Sequence, residues 1–150
     1  MKKRFIILLI TAFFYMHLLQ AQILNNNFEK IDIYYTDFNI MSVINLPCDD
    51  FLSYSREHKT ITDSLDIEIW IGIINRLKKT DTADENYNKR LDTRAKLFLH
   101  GINDTISICL DYWNTDICNQ RYDTSPELRL ELEKMFQKPK PYKHKKNNRK

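Results

Sequence analysis

Residues 94–111, RAKLFLHGINDTISICLD, decide the fold. Ala95, Leu97 and Leu99 alternate with Arg94, Lys96, Phe98 and His100, and after Gly101–Asp104 the pattern returns as Ile106, Ile108 and Leu110. Period-two alternation places successive side chains on opposite faces of a strand. Two such runs around a short polar turn therefore predict an antiparallel hairpin with one apolar and one mixed face.

Downstream, residues 116–122 read as a third strand, joined to 105–111 by a tight turn at Trp113-Asn114. That turn sets Leu110 opposite Ile117 and Cys109 opposite Cys118, within the Cα separation a disulfide spans. A Cys109–Cys118 bridge is the expectation, with a bridge from Cys48 to either of them, or three reduced thiols, left open. Cys48 follows Pro47 and precedes Asp49-Asp50, a setting that disfavours a thiolate nucleophile.

Upstream, Asp63–Lys79 predicts a helix. Thr62 or Asp63 caps it, and Ile67, Trp70, Ile74 and Leu77 form its buried stripe. Arg76, Lys78 and Lys79 complement the dipole at its end, and Gly72 suggests close packing on the sheet. Phe28–Thr36 alternates as a strand and Ile40–Leu46 as a second, closed by Pro47. A short helix over 48–56 carries Phe51 and Leu52 inward, and residues 80–89 read as a loop. A last helix opens at Thr124 or Ser125 with Pro126 in its first turn, buries Leu128, Leu132, Met135 and Phe136, and stops before Pro139. The order is strand, strand, helix, three strands, helix. It predicts an α+β fold: an antiparallel sheet of four to five strands with two helices packed on one face, a two-layer sandwich.

The chain opens with Lys2, Lys3 and Arg4, an apolar run over 5–19, and small Ala21 before a polar stretch. This is the layout of a secretory signal peptide over 1–21, too short to span as a helix. It leaves a single α+β domain over 22–137 and a basic tail over 138–150. The expected location is exported, periplasmic or secreted. Anchoring in the inner membrane through an uncleaved leader is the alternative. No transmembrane segment is expected in the mature chain.

The segments IDIYY, DTRAKLFLH, ISICLD and SPELRLEL, in that order after a leader, resemble small exported proteins of unknown function from Bacteroidota-type bacteria. The resemblance implies export and fold, and carries no activity.

Charge divides the mature chain. Residues 22–137 hold 13 Lys plus Arg against 20 Asp plus Glu, a balance of −7, whereas 138–150 hold seven cations and no acid. So basic and apolar-poor a tail is expected to be disordered. It either adheres to anionic envelope components or folds back on the acidic body. Export makes nucleic acid an unexpected ligand. With glycine only at Gly72 and Gly101, a Gly-rich phosphate loop is excluded, and no nucleophile elbow or metal-ligand spacing is present. Glu57-His58 beside Asp49-Asp50 is the one place where a cation is conceivable, read otherwise as a solvated loop. No cofactor is implied.

The surplus is aromatic, on turns and on mixed strand faces. Tyr112, Trp113 and Phe98 are the candidate contacts on the body, and Lys140, Lys143, Lys145, Lys146, Arg149 and Lys150 those on the tail. The expected function is a non-enzymatic interaction protein binding a protein or an anionic envelope partner. A periplasmic immunity-type inhibitor of a toxin or hydrolase, or an enzyme of unknown reaction, are the alternatives. Oligomeric state is left open.

Overall fold

The computed structural model describes residues 24, 28–40, 45–80 and 91–137. The leader, the tail, residues 81–90 of the expected loop, and 41–44 of the expected second strand lie outside them. Six strands, β1 (Phe28–Tyr35), β2 (Glu57–Ile61), β3 (Ala95–Gly101), β4 (Thr105–Leu110), β5 (Asn114–Ile117) and β6 (Gln120–Asp123), form one antiparallel sheet in the order β2-β1-β3-β4-β5-β6. Helix α1 (Ser64–Asn75) separates β2 from β3, and α2 (Pro126–Phe136) closes the described chain. The α+β class holds, with six strands rather than four to five.

Two departures produce that count. Glu57–Ile61 pairs with β1 but buries only Ile61 on this sheet's edge, so it lacks the apolar alternation that marks a strand. The expected strand over 116–122 is two strands, because Cys118 and Asn119 turn the chain at φ 51 and 63. Ile40 and residues 45–47 are not in a strand. In 48–56 the helix is a single 3-10 turn, Phe51–Ser53, which buries Phe51 and leaves Leu52 exposed.

The turn after β4 also moves. Asp111 Oδ1 accepts the N–H groups of Trp113 at 2.7 Å and Asn114 at 2.6 Å, and Asp111 N–H donates to Asn114 O. The two turn residues are therefore Tyr112-Trp113, one position earlier than expected, and the register becomes Cys109 opposite Asp116. Cys118 falls in the β5–β6 turn, exposed and free. The Cys109–Cys118 expectation is thus corrected: Cys109 bonds Cys48, with Cα atoms 5.8 Å apart.

Register assigns the two faces. Ile31, Ile33, Leu97, Leu99, Ile108, Leu110 and Ile117 share one core with Ile67, Trp70, Ile71, Ile73 and Ile74 of α1 and Leu128, Leu132 and Phe136 of α2. Asp63 caps α1, accepting from Leu65 and Asp66 N–H. The helix stops at Asn75, short of Lys79, because β6 recruits the following backbone: Asp123 N–H donates to Lys78 O, and Thr80 N–H to Arg121 O. Ser125, not Thr124, caps α2, while the Thr124 hydroxyl hydrogen-bonds that of Thr115 in the interior. A Cβ at Gly72 would meet only the end of the Arg76 side chain, so the glycine does not serve packing on the sheet.

Candidate functional site

At the end of the sheet where β1 stops and β4 turns, aromatic rings form a continuous row. Phe136 of α2 stacks on Tyr35 with centroids 4.8 Å apart. Tyr35 meets Phe38 edge-on at 5.6 Å, Phe38 meets Tyr112 at 6.2 Å, and Tyr112 meets Trp113 at 4.6 Å. The row runs from core to solvent: Phe136 and Tyr35 are buried, Phe38 is half-buried, Tyr112 is exposed, and Trp113 is 68% exposed.

The exposed end is held from three directions. Asp111 fixes the turn backbone, and Thr124 N–H donates to Trp113 O at 2.8 Å. Arg129 of α2 lies 4.1 Å above the Tyr112 ring and donates to Tyr112 O at 2.6 Å, a cation–π contact and a hydrogen bond from one guanidinium. Beside the row is a cleft of about 320 Å3 whose floor includes Phe38 and Ile40 and whose polar wall is Asp92, Arg94 and Asp111. Asp92 and Arg94 are ion-paired. Asp111 is committed to the turn and accepts Asp92 N–H at 3.4 Å. An apolar floor with rigid rings and a fixed polar wall suits recognition of a side chain or short segment.

Phe98 does not join this corner. It lies mid-β3 on the sheet's second face, edge-on to Tyr34 at 6.0 Å and near Lys96 and His100. Lys140, Lys143, Lys145, Lys146, Arg149 and Lys150 lie outside the described residues.

That second face holds a polar cluster that the one-dimensional pattern does not reveal. Asp32 Oδ1 accepts from the Thr60 hydroxyl at 2.6 Å. Its Oδ2 meets Lys30 Nζ at 2.8 Å and His100 Nε2 at 2.9 Å, and His58 stands 3.5 Å away. His100 Nδ1 is 3.2 Å from the Thr105 hydroxyl, and His58 stacks on Tyr34 at 4.3 Å. Partial burial pushes the Asp32 carboxyl up, but the bonds from Lys30 and Thr60, the Lys30 charge and His100 outweigh it and hold it at about 2. The signal for this cluster is cross-strand register, which places Asp32 opposite Thr60 and beside Lys30–His100. Toward the corner the same face carries Lys96, buried, donating to Cys48 O at 2.9 Å next to the Cys48–Cys109 bond. Among the described residues, no three His, Cys, Asp or Glu side chains are grouped to hold a metal ion, and no helix is long and apolar enough to cross a membrane.

Compared with family models, curated proteins and solved structures, the chain matches none.

Proposed function

We propose that this is a small exported interaction protein, periplasmic or secreted, that recognises a protein or anionic envelope partner through the Tyr112–Trp113 corner and its basic tail, without chemistry of its own. One observation carries the reading: Trp113 is exposed yet pre-ordered. A large aromatic in water gains nothing for the fold, whereas one whose backbone is held by Asp111 and Thr124, and whose ring packs on a Tyr112 held by Arg129, loses little entropy on contact. The polar wall of the cleft supports a binding role, because Asp92 and Arg94 neutralise each other and Asp111 is spent on backbone N–H groups. The Cys48–Cys109 bond supports an oxidising compartment and hence the leader's reading as an export signal.

The test is affinity capture from native envelope extract with wild-type chain and Trp113→Ala, at low and high salt. Trp113→Ala is expected to leave unfolding within about 0.5 kcal/mol of wild type while losing the captured partner at both salt concentrations. Identical capture by the two proteins would remove the corner from the contact.

A further inference from the structure

A second cleft, of about 530 Å3, lies where Gln137 leaves α2, and Gln137 is part of its wall. Tyr35 and Thr36 at the end of β1, Asp37 and Asn39 after it, Arg56 and Glu57 before and in β2, and Glu133 of α2 complete the polar lining. Three carboxylates thus share the space with one guanidinium. Thr36 is only 5% exposed, and its hydroxyl has no hydrogen-bond partner. A buried hydroxyl left unpaired costs about 1–3 kcal/mol, but this one is closed to solvent, so the attraction of the cleft for a cation rests on its carboxylates. The Tyr35 phenol feels the same surroundings. Burial, then Asp37, Glu133 and Glu57, push it up to about 12 against a hydrogen bond at Phe38.

We propose that this cleft is a binding site for lysine ammonium groups, and that its resident occupant is the start of the chain's own tail, Lys138-Pro139-Lys140. Position and chemistry both argue for the tail. Lys138 directly follows a residue of the cleft wall; the tail carries seven cations and no acid, and three of the four charged residues of the wall are carboxylates. Lys138 and Lys140 are one and three residues beyond Gln137 in the sequence, so no long loop has to be closed for either to meet the cleft. Tethering supplies an effective concentration of about millimolar, enough for a contact too weak to form between separate molecules. The tail's grip on an anionic surface, which belongs to the function proposed above, is then regulated by competition with Asp37, Glu57 and Glu133. The docking itself stands independently of that function.

The experiment is amide NMR on chain carrying its complete tail, as wild type, Lys138→Gln/Lys140→Gln, Glu133→Gln and Thr36→Val, at low and high salt. At low salt the tail variant is expected to shift the signals of Thr36, Asp37 and Glu133, and high salt to erase its difference from wild type. Glu133→Gln is expected to shrink that low-salt difference and Thr36→Val to leave it unchanged, while the core signals of Leu97 and Ile108 stay in place. Superimposable wild-type and tail-variant spectra at low salt would overturn the proposal. So would a difference that grows with protein concentration, which would mean that the tail seats in a second copy. Binding to phosphatidylglycerol vesicles, measured in parallel, reports on adhesion alone: docking with no vesicle binding by any variant rejects the adhesive role and keeps the cleft assignment.

Discussion

The two faces of this sheet are alternate residues of the same strands, yet different forces hold them. On one, Ile31, Ile33, Leu97, Leu99 and Ile108 are each at 0% exposure beneath α1 and α2, and stability there follows the apolar area removed from water. On the other, the same strands carry Asp32, Tyr34, Lys96, His100 and Cys109, joined by directed bonds: a carboxylate with several donors, a lysine on a carbonyl, a disulfide. Area is indifferent to pH and reductant. Directed bonds are not. The contrast teaches that one sheet can carry a generic core and a condition-sensitive surface without any change of backbone.

The largest effect should come from the core face. Leu97→Ala, at the centre of the sheet, is expected to cost about 3–5 kcal/mol, and to cost the same at pH 7 and pH 4 by urea unfolding. A marked pH dependence of that loss would break the separation of the two faces.

Next is the covalent tie of the second face. Reducing Cys48–Cys109, or replacing it by Cys48→Ser/Cys109→Ser, opens a loop closed across a sequence separation of 61, and should cost about 2–4 kcal/mol. Cys118→Ser, at an exposed turn, should change stability by less than about 0.5 kcal/mol. Comparable losses from Cys118→Ser would contradict the pairing seen here.

The smallest of the three is electrostatic. An Asp held below its ordinary value of 3.8 stabilises the fold fully above that pH and loses its contribution as pH falls through about 2. The Asp32 side chain is 14% exposed but Lys30 beside it is 42% exposed, so solvent screens part of the linkage, which amounts to at most about 2 kcal/mol between pH 5 and pH 2. Asp32→Asn should flatten the acid limb of stability by that amount. Parallel limbs for the two proteins would show that the cluster contributes nothing.

Reading from the sequence was sound for three strong local patterns. The hairpin of 94–111, the capped helix at Asp63 and the buried stripe Leu128–Leu132–Phe136 are each legible because period and capping are properties of a few neighbouring residues. It failed at β2, whose place is decided by pairing with β1 rather than by its own composition. It failed by a single turn position at Tyr112-Trp113, where one Asp111 carboxylate selects which two residues turn. That shift altered the disulfide, since register passes a local choice to every residue beyond it. Of the candidate contacts, Tyr112 and Trp113 were legible as a pair at a turn, whereas the row linking them to Phe38, Tyr35 and Phe136 joins segments far apart in the chain.

By itself, then, the amino-acid order determined the class of the fold, the apolar faces of β1, β3, β4 and the two helices, and the division of charge between body and tail, because hydrophobic periodicity and composition act without knowledge of neighbours. Only the tertiary structure decided which cysteines join, which carboxylate gathers Lys30, Thr60 and His100, and that Trp113 is both exposed and held. Each of these is a meeting of side chains from different strands and helices, and a distance of that kind is set only once the sheet's register and the path of α2 across its end are in place.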